Sequence, residues 1–218
     1  MTPLGSRQLS LTQARRGHSR HWLASSLAAL WIGLMAATPV LAGALSDAAS
    51  PYLRSHADDR IEWHPWDEDA LARARTHDKL IFLSIGYASC HWCHVMTRTT
   101  FADDRVIATL KDDFVSILVD REERPDLDGH FMEFMRATTG YSGYPANFIL
   151  TPDAIPIYAV GYLAADPEFG KPGFVDVTRA LAKEWAINRQ RLMTDAGSIR
   201  DQLRALAEPS PRGAAQNG

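Results

Sequence analysis

Residues 80–94 read L-I-F-L-S-I-G-Y-A-S-C-H-W-C-H. The apolar run Leu80 to Ile85 has the length and composition of a strand buried on both faces. Gly86 closes it, and Cys90-His91-Trp92-Cys93 follows at once. A cysteine pair at this spacing, set after a buried strand and opening a helix, has a mechanical logic. The first cysteine lies at a helix N-terminus, where unpaired N–H groups and the helix dipole favour a thiolate. The second lies one turn further on, close enough to close a disulfide. Cys90 is therefore the expected nucleophile and Cys93 the resolving thiol, exchanging through a mixed disulfide with a client thiol. His91 and His94 flank the pair; protonated, either would favour the thiolate further, and each also reads as an exposed polar residue. Trp92, inside the motif, is expected to be exposed and to contact a client.

Outward from this segment the pattern alternates. Asp67 to His77 is a predicted helix, with acidic residues in its first turn and Arg73, Arg75 and His77 at its end, as the dipole prefers. Asp103 to Asp113 has helical spacing of Val106, Ile107 and Leu110, and Phe114 to Val119 is a second buried strand. Asp126 to Thr138 places Leu127, Phe131, Phe134 and Met135 on one helical face. Asn147 to Leu150 and Ile157 to Val160 form a hairpin around the turn residues Thr151-Pro152-Asp153. A last helix runs from Gly173 to about Leu206. Helix, strand, helix, strand, helix and a closing hairpin is a thioredoxin-like α/β arrangement, a central mixed sheet flanked by helices. In that fold an X-Pro bond in the cis form faces the cysteine pair. Tyr144-Pro145 fits that place, where the Tyr144 backbone would be offered to a client peptide. An ordinary loop proline is the plainer reading of Pro145 taken alone.

The 218 residues are 46% hydrophobic and 22% charged, an ordinary globular composition able to bury a core without disulfide staples. With only two cysteines there is no disulfide framework, and whatever they do they do together. The net charge is −3, and Arg7, Arg15, Arg16 and Arg20 all precede the first acidic residue, Asp47. The remainder is thus more acidic than the whole, which argues against a nucleic-acid partner. The alternative from another class is a non-catalytic module on the same fold that only binds clients, and two rival uses of the cysteines remain beside it. Cys-x-x-Cys-His is also the attachment signature of a c-type haem, with His94 as axial ligand; the buried strand ahead of the motif speaks against a largely helical cytochrome. Metal carriage would use two soft ligands, but no second Cys/His pair at zinc spacing completes a structural site. No metal residue and no cofactor is assigned.

Trp22 to Ala42 carries no charge, follows the four arginines and ends in small residues, the order of a secretory signal. Residues 1–44 are therefore expected to be an export signal, or a membrane anchor if they are not cleaved, since the run is long enough to span a bilayer. The domain would occupy 45–208 outside the cytoplasm, periplasmic or secreted, where dithiols and disulfides are working chemistry. Residues 209–218 read as a frayed tail.

Longer segments resemble the thioredoxin domain of the spermatogenesis-associated protein 20 family. They are S-P-Y-L-R-S-H-A at 50–57, E-W-H-P-W at 62–66, the run through C-H-W-C-H-V-M at 81–96, F-V-S-I-L-V-D-R-E-E-R-P-D at 114–126, T-G-Y-S-G-Y-P-A-N-F-I-L-T-P-D at 139–153 and F-G-K-P-G-F at 169–174. The resemblance implies a thioredoxin-like fold with Cys90 and Cys93 as the redox pair and Pro145 as the cis-proline, and it reduces the haem reading to a remnant. Full-length members continue into a helical toroid similar to sugar epimerases. This sequence ends at Gly218, so no epimerase activity is carried over. The family usually has Gly-Trp-Pro where Gly143-Tyr144-Pro145 stands here, and an aromatic-proline segment where Gly161-Tyr162-Leu163 stands, so that loop is expected to differ.

Thioredoxin itself has a buried aspartate six positions before the first cysteine, where this chain has Ser84, which cannot act as a base at neutral pH. Asp120, at the end of the second buried strand, is a candidate substitute. The plainer expectation for the loop Asp120-Arg121-Glu122-Glu123-Arg124 is an exposed charge run with mutual ion pairs. Trp63 and Trp66 read as packing for the N-terminal segment. The expected partners are protein thiol or disulfide clients and a redox partner that the sequence does not name.

Overall fold

A computed structural model describes residues 44–207. The expected export segment, apart from its last residue, and the tail 209–218 lie outside the described residues. Among the described residues no helix is long and apolar enough to cross a membrane.

The elements are α1 (Pro51–Arg54), β1 (Trp63–His64), α2 (Glu68–His77), β2 (Leu80–Gly86), α3 (His91–Arg98), α4 (Asp104–Asp113), β3 (Phe114–Asp120), α5 (Pro125–Thr139), β4 (Ala146–Leu150), β5 (Pro156–Val160) and α6 (Phe174–Ala207). A 3-10 turn at Thr100–Ala102 separates α3 from α4. The five strands form one mixed sheet in the order β1-β3-β2-β4-β5. β1, β3 and β2 run parallel, while β4 pairs antiparallel with β2 and β5 with β4. This is a thioredoxin-like fold.

Local chemistry sets the boundaries. Asp67 caps α2 by accepting the Ala70 N–H at 2.8 Å, and Asp78 ends that helix in the left-handed region at φ 53°. Pro125 opens α5, where its missing N–H costs nothing, and Gly140 closes it at φ 68°. α6 breaks at Asn188, whose backbone leaves the helical region.

Every residue of β2 and β3 is buried, including Ser84, Ser116 and Asp120 among their apolar residues, and alternate side chains feed two cores. On one face Phe82, Phe114 and Leu118 pack with Met96, Leu110, Phe174 and Trp185 from α3, α4 and α6. On the other, Ile81, Leu83, Ile85 and Ile117 pack with Ala74 of α2 and Phe131 of α5. Phe82 holds the first core together, with edge-on contacts to Phe101 at 5.9 Å and Phe174 at 5.2 Å. Full burial of such a side chain stabilises by roughly 1.5–3 kcal/mol.

The two tryptophans expected as packing for the N-terminal segment lie on opposite faces of the sheet. Trp63 joins Phe82 and Phe101, and Trp66 meets Phe131 at 5.4 Å. The physical reason is the two-residue strand β1, which sends Trp63 into the core at the sheet edge before the chain turns into α2.

Candidate active site

Parallel strands β2 and β3 end together. Gly86 and Asp120 are register partners, and the Arg121 N–H donates to the Gly86 carbonyl at 3.0 Å. From this edge the 87–89 loop carries the chain into α3. Cys90 is the N-cap of that eight-residue helix, and its sulfur accepts the Cys93 N–H at 3.2 Å. The two sulfurs are joined in a disulfide, with Cα atoms 5.3 Å apart, and each cysteine is only 3% exposed.

Gly86 is there because nothing larger fits. A Cβ built on it would stand 3.0 Å from the Cys93 sulfur and would collide with the Tyr52 ring. The Tyr52 hydroxyl and the Cys93 sulfur thus close in on the same point above the strand end.

Around the disulfide the expected residues are placed as follows. Trp92 is 53% exposed and leans on Tyr162 at 5.3 Å. His91 is exposed and meets the Trp92 ring edge-on. His94 turns its Nε2 to the Ala88 carbonyl at 2.7 Å, fastening the loop before the motif; this is the ring that haem ligation would have used. The Tyr144–Pro145 peptide bond is cis. The pairing of Ile85 with Ala146 sets Pro145 level with Gly86, at the end of β2 from which the cysteine loop departs. The Tyr144 ring packs edge-on against Tyr87 at 5.4 Å, lies under the Arg121 guanidinium at 4.6 Å and donates its hydroxyl to Asp128 at 2.5 Å. Burial first, then the bond to Asp128, raises its phenol well above the ordinary value. Trp92, Tyr141, Tyr144 and Tyr162 line an open hollow of about 480 Å³ beside the motif.

Asp120 departs from the expected exposed charge run. Its carboxylate is buried at 4% exposure, accepts the Ser50 hydroxyl at 2.6 Å and accepts the Glu122 N–H at 2.9 Å. Only the rest of the loop behaves as expected of a charge run, and its ion pairs are made with α5: Arg124 to Asp126 at 2.7 Å and Arg121 to Asp128 at 3.7 Å. The cause is the strand register, which carries Asp120 inward with Gly86 before the chain turns out to solvent. Ser84 is also buried, one layer below.

The residues that sequence reasoning left without a role are in the N-terminal segment. Ser50 caps α1 through the Leu53 N–H at 3.1 Å while donating to Asp120. Tyr52 is 3% exposed, and burial, then the Asp120 charge, raises its phenol far above the ordinary value. His56 packs edge-on against Tyr52 at 4.9 Å and bonds Asp59 at 2.7 Å; the Trp63 indole donates to the same carboxylate at 3.0 Å. The visible signal was the Ser50-Pro51 helix start, but nothing in the sequence tied it to a residue 70 positions away.

Residues 42–204 match the family described as "Thioredox_DsbH: Protein of unknown function, DUF255". The chain belongs to that family. Among curated proteins, Spermatogenesis-associated protein 20 of Homo sapiens is 38% identical over 161 residues, covering 74% of this chain and 20% of that protein. The Mus musculus counterpart is 35% identical over 174 residues, covering 80% and 22%. The chain therefore spans about a fifth of the length of the curated relatives it matches. Among solved structures, "DsbH Oxidoreductase" superposes with a TM-score of 0.40 at 18% identity, over 55% of this chain and 81% of that one. A thioredoxin from Thermus thermophilus gives 0.42 at 20% identity, over 57% and 89%. In this DUF255 member the matched region takes in the cysteine pair, the Ser50–His56 segment and the Asp120 strand end alike.

Proposed function

We propose that this protein carries out thiol–disulfide exchange with protein clients in an exported compartment, through Cys90 and Cys93. The observation that carries the reading is the cysteine pair at the head of α3, already closed into a disulfide, with Cys90 as N-cap. Cys90 is the attacking or attacked sulfur. Cys93, whose sulfur stands against Gly86, resolves the mixed disulfide. Trp92 and Tyr144 line the hollow beside the pair, and Pro145 follows at the start of β4, so a client segment lies against these three. His91 and His94 border the site, His94 by holding the Ala88 carbonyl. No cofactor is assigned to the reaction, and a redox partner that the site does not name restores the cysteine pair.

Turnover tests this. The purified protein, recycled by a small dithiol, is expected to speed reduction of insulin disulfides, or in the opposite direction to oxidise a reduced dithiol peptide. A Cys90→Ser variant loses both. A parent protein with no effect in either direction sinks the reading. Export rests on the four arginines and the uncharged run that follows them. Mature protein from the native host is expected to begin at Gly43 or Leu45 by intact mass; full-length chain in the membrane fraction would show an uncleaved anchor instead.

A further inference from the structure

The sequence F-G-K-P-G-F at 169–174 has no part in the exchange chemistry, yet its first residue stands out in space. Phe169 is 93% exposed, more than any other large apolar side chain among the described residues. We infer that the hairpin carrying Phe169 is an arm of the client-binding surface. The segment it receives is an extended stretch of client polypeptide with a large apolar side chain and a carboxylate near its cysteine. This rests on the exchange reading above and adds to it the kind of client segment the site selects.

The position of Phe169 is imposed on it. The Lys171 N–H donates to the Glu168 carbonyl at 2.9 Å and the Glu168 N–H to the Lys171 carbonyl at 3.2 Å, closing a two-residue hairpin turn. The central residues Phe169 and Gly170 both have positive φ, 51° and 73°. Turns of this kind favour asparagine or glycine, and a bulky side chain in the left-handed region is strained. Phe169 is thus disfavoured twice, by its backbone and by its exposed ring, and strain of this sort gathers at binding sites. The base of the arm is firmly tied. The Phe174 N–H donates to the Ala164 carbonyl at 2.8 Å, and the buried Phe174 ring anchors the chain in the core. Gly173 leaves no room for a Cβ against the backbone of Ala165 and Asp166, and Arg105 of α4 holds the Asp166 carboxylate at 2.7 Å. A ring held out on a fixed support loses little freedom when a ligand meets it.

The surroundings of the arm say what it holds. A hollow of about 320 Å³ lies between Phe169 and the Trp92–Tyr162 pair. It shares Trp92, Tyr162 and Lys171 with the hollow of about 480 Å³ that reaches Tyr141 and Tyr144. Trp92 sits between the two cysteines in the chain, so this surface is continuous with the exchanging pair. Walls so rich in aromatic rings favour a large apolar side chain. Lys171 is the one charged group lining the larger hollow among the described residues, and its ammonium favours a carboxylate on whatever enters. In the smaller hollow Asp166 is taken by Arg105, and Glu168 stands beside Lys171. The client carboxylate therefore belongs in the larger hollow and the apolar side chain against Phe169.

The test sets disulfide-linked peptides in competition for the reduced full chain, whose cysteine pair is oxidised as the peptide disulfide is reduced. Mass spectrometry reads which peptide is reduced first. In a glycine–serine background, tryptophan is scanned along both sides of the cysteine, with glutamate or lysine at the other positions. Tryptophan at its preferred position is expected to speed reduction about tenfold over serine, and glutamate to be favoured over lysine about threefold. Phe169→Ser is expected to remove most of the tryptophan preference, and Lys171→Glu to reverse the charge preference. Ile187→Ser removes another strongly exposed apolar side chain, one outside both hollows, and is expected to leave both preferences unchanged. Equal rates for all peptides overturn the inference, as does a tryptophan preference that survives Phe169→Ser or falls as far in Ile187→Ser. So does a Phe169→Ser variant that loses only self-association, or only binding to phosphatidylcholine–phosphatidylglycerol vesicles. The same peptides with serine for cysteine, labelled and titrated onto the oxidised full chain by fluorescence anisotropy, read the surface without the chemistry. A chain that exchanges with no peptide but keeps these preferences in binding defeats only the exchange reading. A chain that reduces every peptide alike defeats only the present inference.

Discussion

At Cys90 two effects oppose each other. As N-cap its sulfur accepts the Cys93 N–H and sits at the positive end of α3, which stabilises a thiolate. Its burial at 3% exposure works against any charge. Cysteines at helix N-termini in redox pairs reach about 3.5–7.5 against a free value of roughly 8.5, so the local dipoles generally outweigh the desolvation. We therefore expect Cys90 to titrate below roughly 8.5 in a Cys93→Ser variant, read as alkylation rate against pH. A midpoint at or above the free value would mean that burial prevails. Asp120 carries the complementary lesson. Its neighbours in sequence are Arg121, Glu122, Glu123 and Arg124, so by composition it belongs to an exposed loop. Its surroundings in space are Gly86 and Ser50, neither of which local sequence could connect to it.

The helices and strands differ in how much of them their own residues announce. β2 and β3 were readable because seven and six apolar or small residues in a row admit few alternatives. α2, α4 and α5 were readable from caps and periodicity, to within a residue or two at each end. α1 and β1 were not: four and two residues are too few for any period to show, and both exist because the fold packs them at the sheet's active-site end and edge. The junction between α3 and α4 was equally silent, since the 3-10 turn at Thr100–Ala102 is held by a distant bond from the Thr100 hydroxyl to the Leu163 carbonyl. The start of α4 allows a test. Asp103 accepts the Arg105 N–H at 2.8 Å, and the Arg105 guanidinium, which also reaches Asp166, holds the Asp103 carboxyl down at about 2. A carboxylate depressed by folding contributes stability above its unfolded value and loses it as the pH falls through the folded one. Asp103→Ala is expected to cost about 1 kcal/mol at neutral pH, chiefly through the lost cap, because solvent screens the ion pair. The difference between parent and variant in chemical denaturation should narrow as the pH falls from about 4 to about 2, because the charge-linked part is lost while a protonated carboxyl still accepts the cap N–H. A difference that stays constant over that range would show that the carboxylate charge contributes nothing.

Across the molecule, the described chain folds its N-terminal segment back over the ends of β2 and β3, so that Ser50 bonds Asp120 of β3 and Tyr52 crowds Gly86 of β2 beside Cys93 of α3. Both cores press on the sheet from opposite sides and leave that edge as the place where loops, helix dipole and aromatic hollow meet. The region shared with the family reaches from the N-terminal segment to α6, so it contains every part of the site described. That Cys90 is the exchanging sulfur of the pair, as proposed, is open to a direct test: a reduced Cys93→Ser variant is mixed with a disulfide-bonded peptide and quenched in acid, and the intact mass and attachment site are measured. The expected result is a peptide held in mixed disulfide through Cys90 and persisting because Cys93 is gone, with the Cys90→Ser form labelled far more slowly. Equal labelling of Cys93 in Cys90→Ser, or no mixed disulfide in either form, would contradict it.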